Sequence, residues 1–90
     1  GHEMRKTRPC LVISPNELNR SGRPVIVAPL TTAVRRYTSR VPSDFGGRPG
    51  FIALDQLRAV DQSRLGRRLG RLDADTGLEC LATLRDMFEA

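Results

Sequence analysis

The sequence predicts a small, mainly β domain with one closing helix, either a β-barrel or an α+β domain. Three short runs rich in branched aliphatic residues, "CLVIS", "PVIVAPL" and "FIALDQL", are separated by stretches of turn-forming residues. A helical pattern, "DADTGLECLATLRDMFEA", follows them at the C-terminal end. The 90 residues are enough for one modest hydrophobic core, so we expect a single domain over residues 1–90.

The first half of the chain predicts a hairpin followed by an edge strand. "CLVIS" and "PVIVAPL" each follow or contain a proline at their start, and "NELNRSGR" between them is rich in turn formers. "RRYTSRV" can form a strand with its basic face in solvent, and Pro42 suggests a sheet edge or a strand end.

The second half predicts a turn at "GGRPG", a buried strand at "FIALDQL", a single turn at "DQSRL" and a further strand. The final helix has two candidate N-caps, Asp73 and Thr76, and Thr76 with Glu79 forms a possible capping box. Four apolar residues recur at helical spacing and are expected on one face: Leu78, Leu81, Leu84 and Phe88.

Composition limits the classes of function. The formal net charge of +5 favours a polyanionic partner. Cys10 and Cys80 lie in apolar runs, which predicts buried free thiols and a cytoplasmic protein. No run is long enough to span a membrane. Metal-hydrolase, nucleotide-hydrolase and esterase motifs are missing from the sequence, and we expect no metal and no cofactor.

The remaining polar residues suit RNA phosphodiester cleavage. The RNA 2′-hydroxyl lies next to the phosphorus, so the protein has to move protons and stabilise a crowded phosphorane. Arg8 can pair with phosphate oxygens, and Thr31 or Thr32 can donate a hydrogen bond. Proton exchange could fall to one of three residues, His2, Glu3 or Asp55. These residues also have structural interpretations: Arg8 as an exposed strand start, the threonines as ordinary strand or turn residues, and Asp55 as an acid that is paired or on the exposed face of a strand. The terminal Gly-His can be left over from expression.

A basic run supplies candidates for binding the RNA strand. Arg35, Arg36 and Arg40 are of a kind that usually forms a solvated face, although the same charges would also attract RNA. From the residues alone, these alternatives stay open.

The chain resembles the MazF/PemK toxins of bacterial toxin–antitoxin systems. Four blocks carry the resemblance in the order and spacing of that family: "GHE…TRPCLVISP", "VIVAPLTT", "FIALDQLRAVDQSRL" with "RLGRL", and the final helix. The resemblance implies an SH3-like β-barrel with packed helices, usually a homodimer, that cleaves single-stranded RNA at short sequences without metal. It also implies a cognate antitoxin of the MazE/PemI kind, whose acidic segment lies along the RNA groove.

The resemblance also implies roles for individual residues. Arg8 matches the arginine that acts on the scissile phosphate, Thr31 matches the threonine beside it, and Asp55 stands where relatives carry Asp or Glu. His2 and Glu3 are further candidates for proton transfer. The predicted RNA-binding residues are Thr32, Arg35, Arg36, Gln56 and Arg58.

The chain departs from the family pattern at two places. The PemK-like branch has an arginine two residues before the acid, whereas this chain has Ala53. Relatives also begin with a strand before "GHE" that is missing here, which would leave a barrel edge unpaired.

Two other functions fit the same pattern. Gyrase-poisoning toxins are similar in fold and act by binding a protein target, and a basic barrel could bind RNA without cutting it.

Overall fold

The computed structural model describes residues 2–4, 8–33 and 37–89. Within them the chain forms seven strands: β1 (His2–Met4), β2 (Pro9–Val12), β3 (Val25–Thr31), β4 (Arg40–Phe45), β5 (Arg48–Ala53), β6 (Arg58–Val60) and β7 (Leu65–Arg68). Two α-helices, α1 (Asn16–Asn19) and α2 (Ala74–Phe88), and two 3₁₀ turns, Leu54–Gln56 and Gln62–Arg64, complete the described elements. The predicted mainly β architecture with a closing helix is confirmed.

The strands form one antiparallel sheet in the order β4-β5-β3-β2-β1-β7, with β6 also paired to β3. One edge of β3 is shared by two partners, because β5 pairs with its last residues and β6 with its first. The 3₁₀ turn Leu54–Gln56 connects these two partners and bends the chain between them. Two strands therefore pair in succession along one edge of β3, an arrangement consistent with a barrel-like fold.

The predicted hairpin is confirmed, since β2 and β3 pair with Leu11 opposite Ala28. Its connection was expected to be a turn but contains α1, which is tied back to β3 by the buried hydroxyl of Ser14. This hydroxyl donates to Asn19 Oδ1 at 2.6 Å and accepts the Ile26 amide at 3.2 Å.

The strand predicted at "RRYTSRV" starts later in the structure than the sequence suggests. Strand β4 begins only at Arg40, and residues 34–36 lie outside the described part of the chain. Pro42 lies inside β4 rather than at its end, and β4 is an outer strand of the sheet, which is where a proline without an amide donor is tolerated. The expected turn at "GGRPG" is confirmed for its two glycines, both with positive φ, whereas Arg48 already belongs to β5.

Among the described residues the outer strands of the sheet are β4 and β7, and the edge expected from a strand missing before "GHE" stays a prediction. Strand β1 lies between β2 and β7 and pairs with both, with His2 opposite Cys10 on one side and Arg68 on the other. The turn and strand predicted from "DQSRL" onward are confirmed by the 3₁₀ turn Gln62–Arg64 and β7.

Helix α2 begins after Asp73, whose carboxylate accepts the Thr76 amide at 3.0 Å and the Thr76 hydroxyl at 2.8 Å. The Thr76 amide and hydroxyl together lower the pKa of Asp73. Asp73 is therefore the N-cap, and the predicted capping box of Thr76 with Glu79 is wrong because Thr76 already lies in the first turn.

The core consists of two clusters, which lie on opposite faces of β2 and β3 because successive residues of a strand point to opposite sides. One contains Cys80 of α2 together with strand residues Ala28, Val41 and Ile52 and the turn residue Leu54. The other contains Cys10, Val25, Val27 and Val60. No helix in the described residues is long and apolar enough to cross a membrane.

Candidate active site

A cavity of ≈ 350 Å³ opens where β2 and β3 meet the β4–β5 hairpin. Two arginines, three hydroxyl side chains and a short apolar wall line it: Arg8, Pro9, Leu30, Thr31, Thr32, Ser43, Phe45, Arg48, Pro49 and Gly50. Three predicted site residues, Arg8, Thr31 and Thr32, therefore share one cavity. Its lining contains no acidic residue, so the charge of the cavity wall is positive.

The strand register explains how Arg8 and Thr31 meet although 22 residues separate them in the sequence. Cys10 pairs with Pro29 and Leu11 with Ala28. Continuing this register by two residues places Arg8 opposite Thr31, and opposite residues on antiparallel strands have Cα atoms about 4.5–5.5 Å apart on the same face. Arg8 is exposed at the start of β2, where its guanidinium can reach a ligand.

The Thr31 hydroxyl is held in place by its own backbone. Its Oγ1 atom accepts the Ala33 amide at 3.1 Å. This bond uses a lone pair of the oxygen, so the hydroxyl proton can be donated to a ligand in the cavity.

Gly50 allows β5 to approach the end of β3. A Cβ atom at this position would lie 2.8 Å from the Thr31 carbonyl oxygen, closer than real Cβ contacts allow. Thr31 also pairs with Phe51, the next residue of β5. The position of Thr31 therefore depends on a residue without a side chain on the neighbouring strand.

Arg48 is a second cation of the cavity that the sequence analysis missed. It is exposed and lies opposite Phe45 across the two-glycine turn of the β4–β5 hairpin. A Gly-Gly pair is a known signal of a two-residue hairpin loop, so this pairing could have been predicted from the sequence. What the sequence could not show is that the hairpin folds against the start of β2.

Asp55 lies outside this cavity and is bound to Arg40. Arg40 Nε donates to Asp55 Oδ1 at 2.7 Å and Nη2 donates to Oδ2 at 3.2 Å, while the Ser39 hydroxyl donates to Oδ1 at 3.1 Å. The hydrogen bond from Arg40 is the main cause that lowers the pKa of Asp55, and the same bond raises the pKa of Arg40. Asp55 is therefore a fixed, ionised carboxylate at neutral pH.

The interpretation of Arg40 as part of a solvated basic face is wrong. Its side chain is only 6% exposed, against 31% for Asp55. Arg40 lies directly opposite Ala53 on the β4–β5 ladder. In this chain the position two residues before Asp55 is Ala53, and the arginine that pairs with Asp55 is Arg40 of the adjacent strand.

The other predicted site residues lie outside the cavity lining. Gln56 is exposed in the 3₁₀ turn beside Asp55, and Arg58 is exposed on β6 opposite Val27. For His2 and Glu3 the structure describes the backbone, which places Glu3 opposite Pro9. Arg35 and Arg36 lie outside the described residues.

Both cysteines are free and buried, as predicted, and belong to different core clusters. Burial raises the pKa of each thiol, so both stay protonated and act as core residues rather than as nucleophiles. Within residues 2–4, 8–33 and 37–89, no three His, Cys, Asp or Glu residues form a group that could hold a metal ion.

Two arginines and several hydroxyls in one concave site define a site for a phosphate group, because guanidinium donors pair with phosphate oxygens and hydroxyls add further donors. A barrel-like fold with such a site defines a class of proteins that bind or process phosphate-containing polymers. The family model "PemK-like, MazF-like toxin of type II toxin-antitoxin system" matches residues 1–88. The chain belongs to this toxin family.

Individual relatives agree with this assignment. The chain is 34% identical over 90 residues to "Endoribonuclease PemK" of Escherichia coli, covering 93% of this chain and 68% of that protein. Among solved structures it resembles "Mycobacterium tuberculosis toxin MazF-mt6" with a TM-score of 0.85 and 27% identity, covering 97% of this chain and 91% of that one. It also resembles a chain of the "Crystal structure of MazE-MazF (Form-III) from Deinococcus radiodurans", with a TM-score of 0.78 and 26% identity, covering 96% of this chain and 88% of that one.

Proposed function

We propose that this toxin, an endoribonuclease by its family, cleaves single-stranded RNA by attack of a 2′-hydroxyl on the adjacent phosphorus. The products would be a 2′,3′-cyclic phosphate and a 5′-hydroxyl end, formed without a metal ion. The observation that carries this proposal is the cavity that Arg8 and Arg48 share with Thr31 and Thr32.

Arg8 would stabilise the pentavalent phosphorane, since a guanidinium keeps its charge and offers paired donors as negative charge develops on the oxygens. Thr31 would donate its hydroxyl proton to a non-bridging oxygen, from a position fixed by the Ala33 amide. Arg48 and Thr32 would hold the same or an adjacent phosphate, because they line the same cavity.

Asp55 is not the proton carrier in this proposal. A general base works best with a pKa near the operating pH, whereas the pKa of Asp55 is lowered by its bond to Arg40. We propose that Asp55 orients neighbouring groups or contacts a base. His2 and Glu3 stay proposed proton carriers, because β1 runs beside β2 and brings Glu3 opposite Pro9, next to Arg8.

The remaining binding residues and partners are part of the same proposal. Arg35, Arg36, Gln56 and Arg58 would contact the RNA strand outside the cavity. A cognate acidic antitoxin fits a type II toxin, and one solved relative is a MazE-MazF complex. We also propose a homodimer and a cytoplasmic location, where free thiols such as those of Cys10 and Cys80 persist and RNA is present.

The test is cleavage of a long single-stranded RNA by the purified protein in EDTA, with chemical mapping of the new ends. We expect cuts at a restricted set of sites, with cyclic phosphate and 5′-hydroxyl ends, and no cuts with Arg8→Ala. Arg85→Ala is the matched control, because Arg85 is exposed in the last turn of α2, and it should cut like the wild-type protein.

Three results would contradict the proposal. Full activity of Arg8→Ala would remove Arg8 from the mechanism, and 3′-hydroxyl ends would exclude attack by the 2′-hydroxyl. RNA that stays intact while it binds would favour a binding protein over a nuclease.

A further inference from the structure

The ring of Tyr37 is an exposed aromatic surface beside the Arg40–Asp55 pair. Tyr37 is 56% exposed. The guanidinium carbon of Arg40 lies over the ring, 5.3 Å from its centroid. One face of the ring is therefore covered by a cation, and the exposure of the residue leaves apolar ring surface in contact with water, which is unfavourable unless a partner covers it.

Hydrogen bonds hold the backbone of Tyr37 and the guanidinium that lies over its ring. The Arg40 amide donates to the Tyr37 carbonyl at 3.1 Å, and the Arg40 side chain is fixed by its two bonds to Asp55. The Ser39 hydroxyl donates to the same carboxylate, and the Leu54 amide donates to the Ser39 carbonyl at 3.1 Å. A surface that is ordered before binding loses less conformational entropy when a ligand arrives.

Polar groups that can recognise the edge of a base are connected to the ring through Arg40, which contacts the ring and binds Asp55. Asp55 keeps 31% of its side chain exposed and can accept a hydrogen bond from an amino or imino group. Gln56, exposed on the adjacent residue, can both donate and accept. A flat ring beside such groups is the arrangement by which proteins bind unstacked bases of single-stranded RNA.

The distance to the cavity fits a nucleotide near the scissile phosphate. Thr31 pairs with Phe51, and Asp55 follows Phe51 by four residues along the chain. At about 3.3 Å per residue, this separation is at most about 13 Å along the strand direction.

We propose that Tyr37 is the stacking platform of a nucleobase subsite, in which Asp55 and Gln56 contact the edge of the stacked base and Arg40 supports the ring from below. The subsite deepens the proposed function, on which it rests, by naming residues that select the RNA sequence. Because the base is bound and not transformed, Tyr37 contributes to affinity for RNA and not to the chemical step.

The sequence provides a direct spectroscopic test, because Tyr37 is the only tyrosine and tryptophan is absent. The probes are four single-stranded 2′-O-methyl homopolymers, one for each base, which lack the attacking hydroxyl and stay intact. We expect saturable quenching of tyrosine emission by at least one of them, corrected with a free tyrosine derivative for light absorbed by the bases. Binding detected by anisotropy without any quenching would overturn the proposal.

Variants separate stacking from a structural role. Tyr37→Phe should bind the quenching oligonucleotide like the wild-type protein, whereas Tyr37→Leu should bind about 5- to 150-fold more weakly, the range for one base–aromatic stack. In RNA cleavage, Tyr37→Leu should raise KM and leave kcat unchanged. Phe88→Leu is the matched control, since Phe88 is 74% exposed on α2, and it should change neither value.

Failure of the subsite and failure of the proposed function give different results. RNA cleavage by the wild-type protein with unchanged KM for Tyr37→Leu would overturn the subsite alone. Quenching by an oligonucleotide, with no cleavage of RNA, would keep the subsite and overturn the nuclease. A lower kcat with unchanged KM for Tyr37→Leu would assign the ring a structural role and overturn the subsite.

Discussion

Gly50 is the residue at which backbone packing and the proposed chemistry meet. Its missing side chain allows β5 to pass the Thr31 carbonyl, which a Cβ atom would approach to 2.8 Å. The contact involves backbone on both sides, so no flexible side chain can move away to relieve it. Any side chain at position 50 must therefore move Thr31 or separate β3 from β5.

We expect Gly50→Ala to reduce cleavage strongly. A displacement of about 1 Å at a catalytic group can cost about 100-fold in rate, and overpacking typically costs about 1–3 kcal/mol of stability. The measurements are kcat on RNA and the free energy of unfolding in urea.

The matched change is Gly77→Ala in α2, where a Cβ atom would meet nothing within 4 Å. There we expect unchanged kcat and a gain in stability of about 0.5–1 kcal/mol, because alanine is the better helix former. Equal activity of Gly50→Ala and the wild-type protein would show that the position of Thr31 does not matter for catalysis.

At the scale of elements, helix α2 buries a narrower stripe than its sequence predicts. Leu78, Leu81, Leu84 and Phe88 were expected on one face, but Cys80 is the buried residue and Leu84 packs against its cluster. Leu78 is 64% exposed and Leu81 58% exposed. The helix lies against β4 and the 3₁₀ turn Leu54–Gln56. Sequence periodicity shows which residues share a helix face, but it cannot show how much of that face a neighbouring element covers.

This register predicts unequal costs for two identical substitutions. Leu84→Ala should lower the free energy of unfolding by about 2 kcal/mol or more, because it removes atoms packed against a buried cluster. Leu81→Ala should change it by less than about 0.5 kcal/mol. Urea unfolding of both variants is the measurement, and a larger loss for Leu81→Ala would mean that α2 is rotated relative to this structure.

The strands were predictable to the extent that their signals are local. Branched aliphatic runs located β2, β3 and the second half of β5, and "GGRPG" located a turn. The strand predicted at "FIALDQL" is wrong beyond Ala53, because Leu54–Gln56 form a 3₁₀ turn. The start of β4 was not predictable, because its first residue, Arg40, reads in the sequence as one more arginine of a basic run. Its partner Asp55 lies 15 positions away in the sequence.

At the scale of the whole molecule, the same limit applies to the site. The resemblance to a family supplied Arg8 and Thr31, and the structure places both in one cavity. It could not supply Arg48, Arg40 or Tyr37, because their surroundings come from strands distant in sequence. Spacing along a chain reveals neighbours within one element, whereas a site built from several strands depends on register.

The distribution of charge indicates where the RNA runs. The cavity lining with Arg8 and Arg48 contains no acid. The adjoining groove, which shares Thr32, Ser43, Pro49 and Gly50 with it, contains Asp44 and Asp73. Phosphates are repelled by exposed carboxylates, so we expect the RNA backbone to leave the cavity away from that groove.

The net charge of +5 makes RNA binding depend on salt, and this dependence can be assigned to single residues. For single strands, each neutralised phosphate contributes about 0.7 to the slope of log K against log salt. We expect Arg48→Ala to lower that slope by about 0.7 for an uncleavable 2′-O-methyl oligonucleotide, whereas Arg85→Ala should leave it unchanged. Affinity measured by anisotropy across a salt series decides between them. If both variants kept the wild-type slope, Arg48 would not bind a phosphate, and Arg8 would be the only arginine in this cavity left to do so.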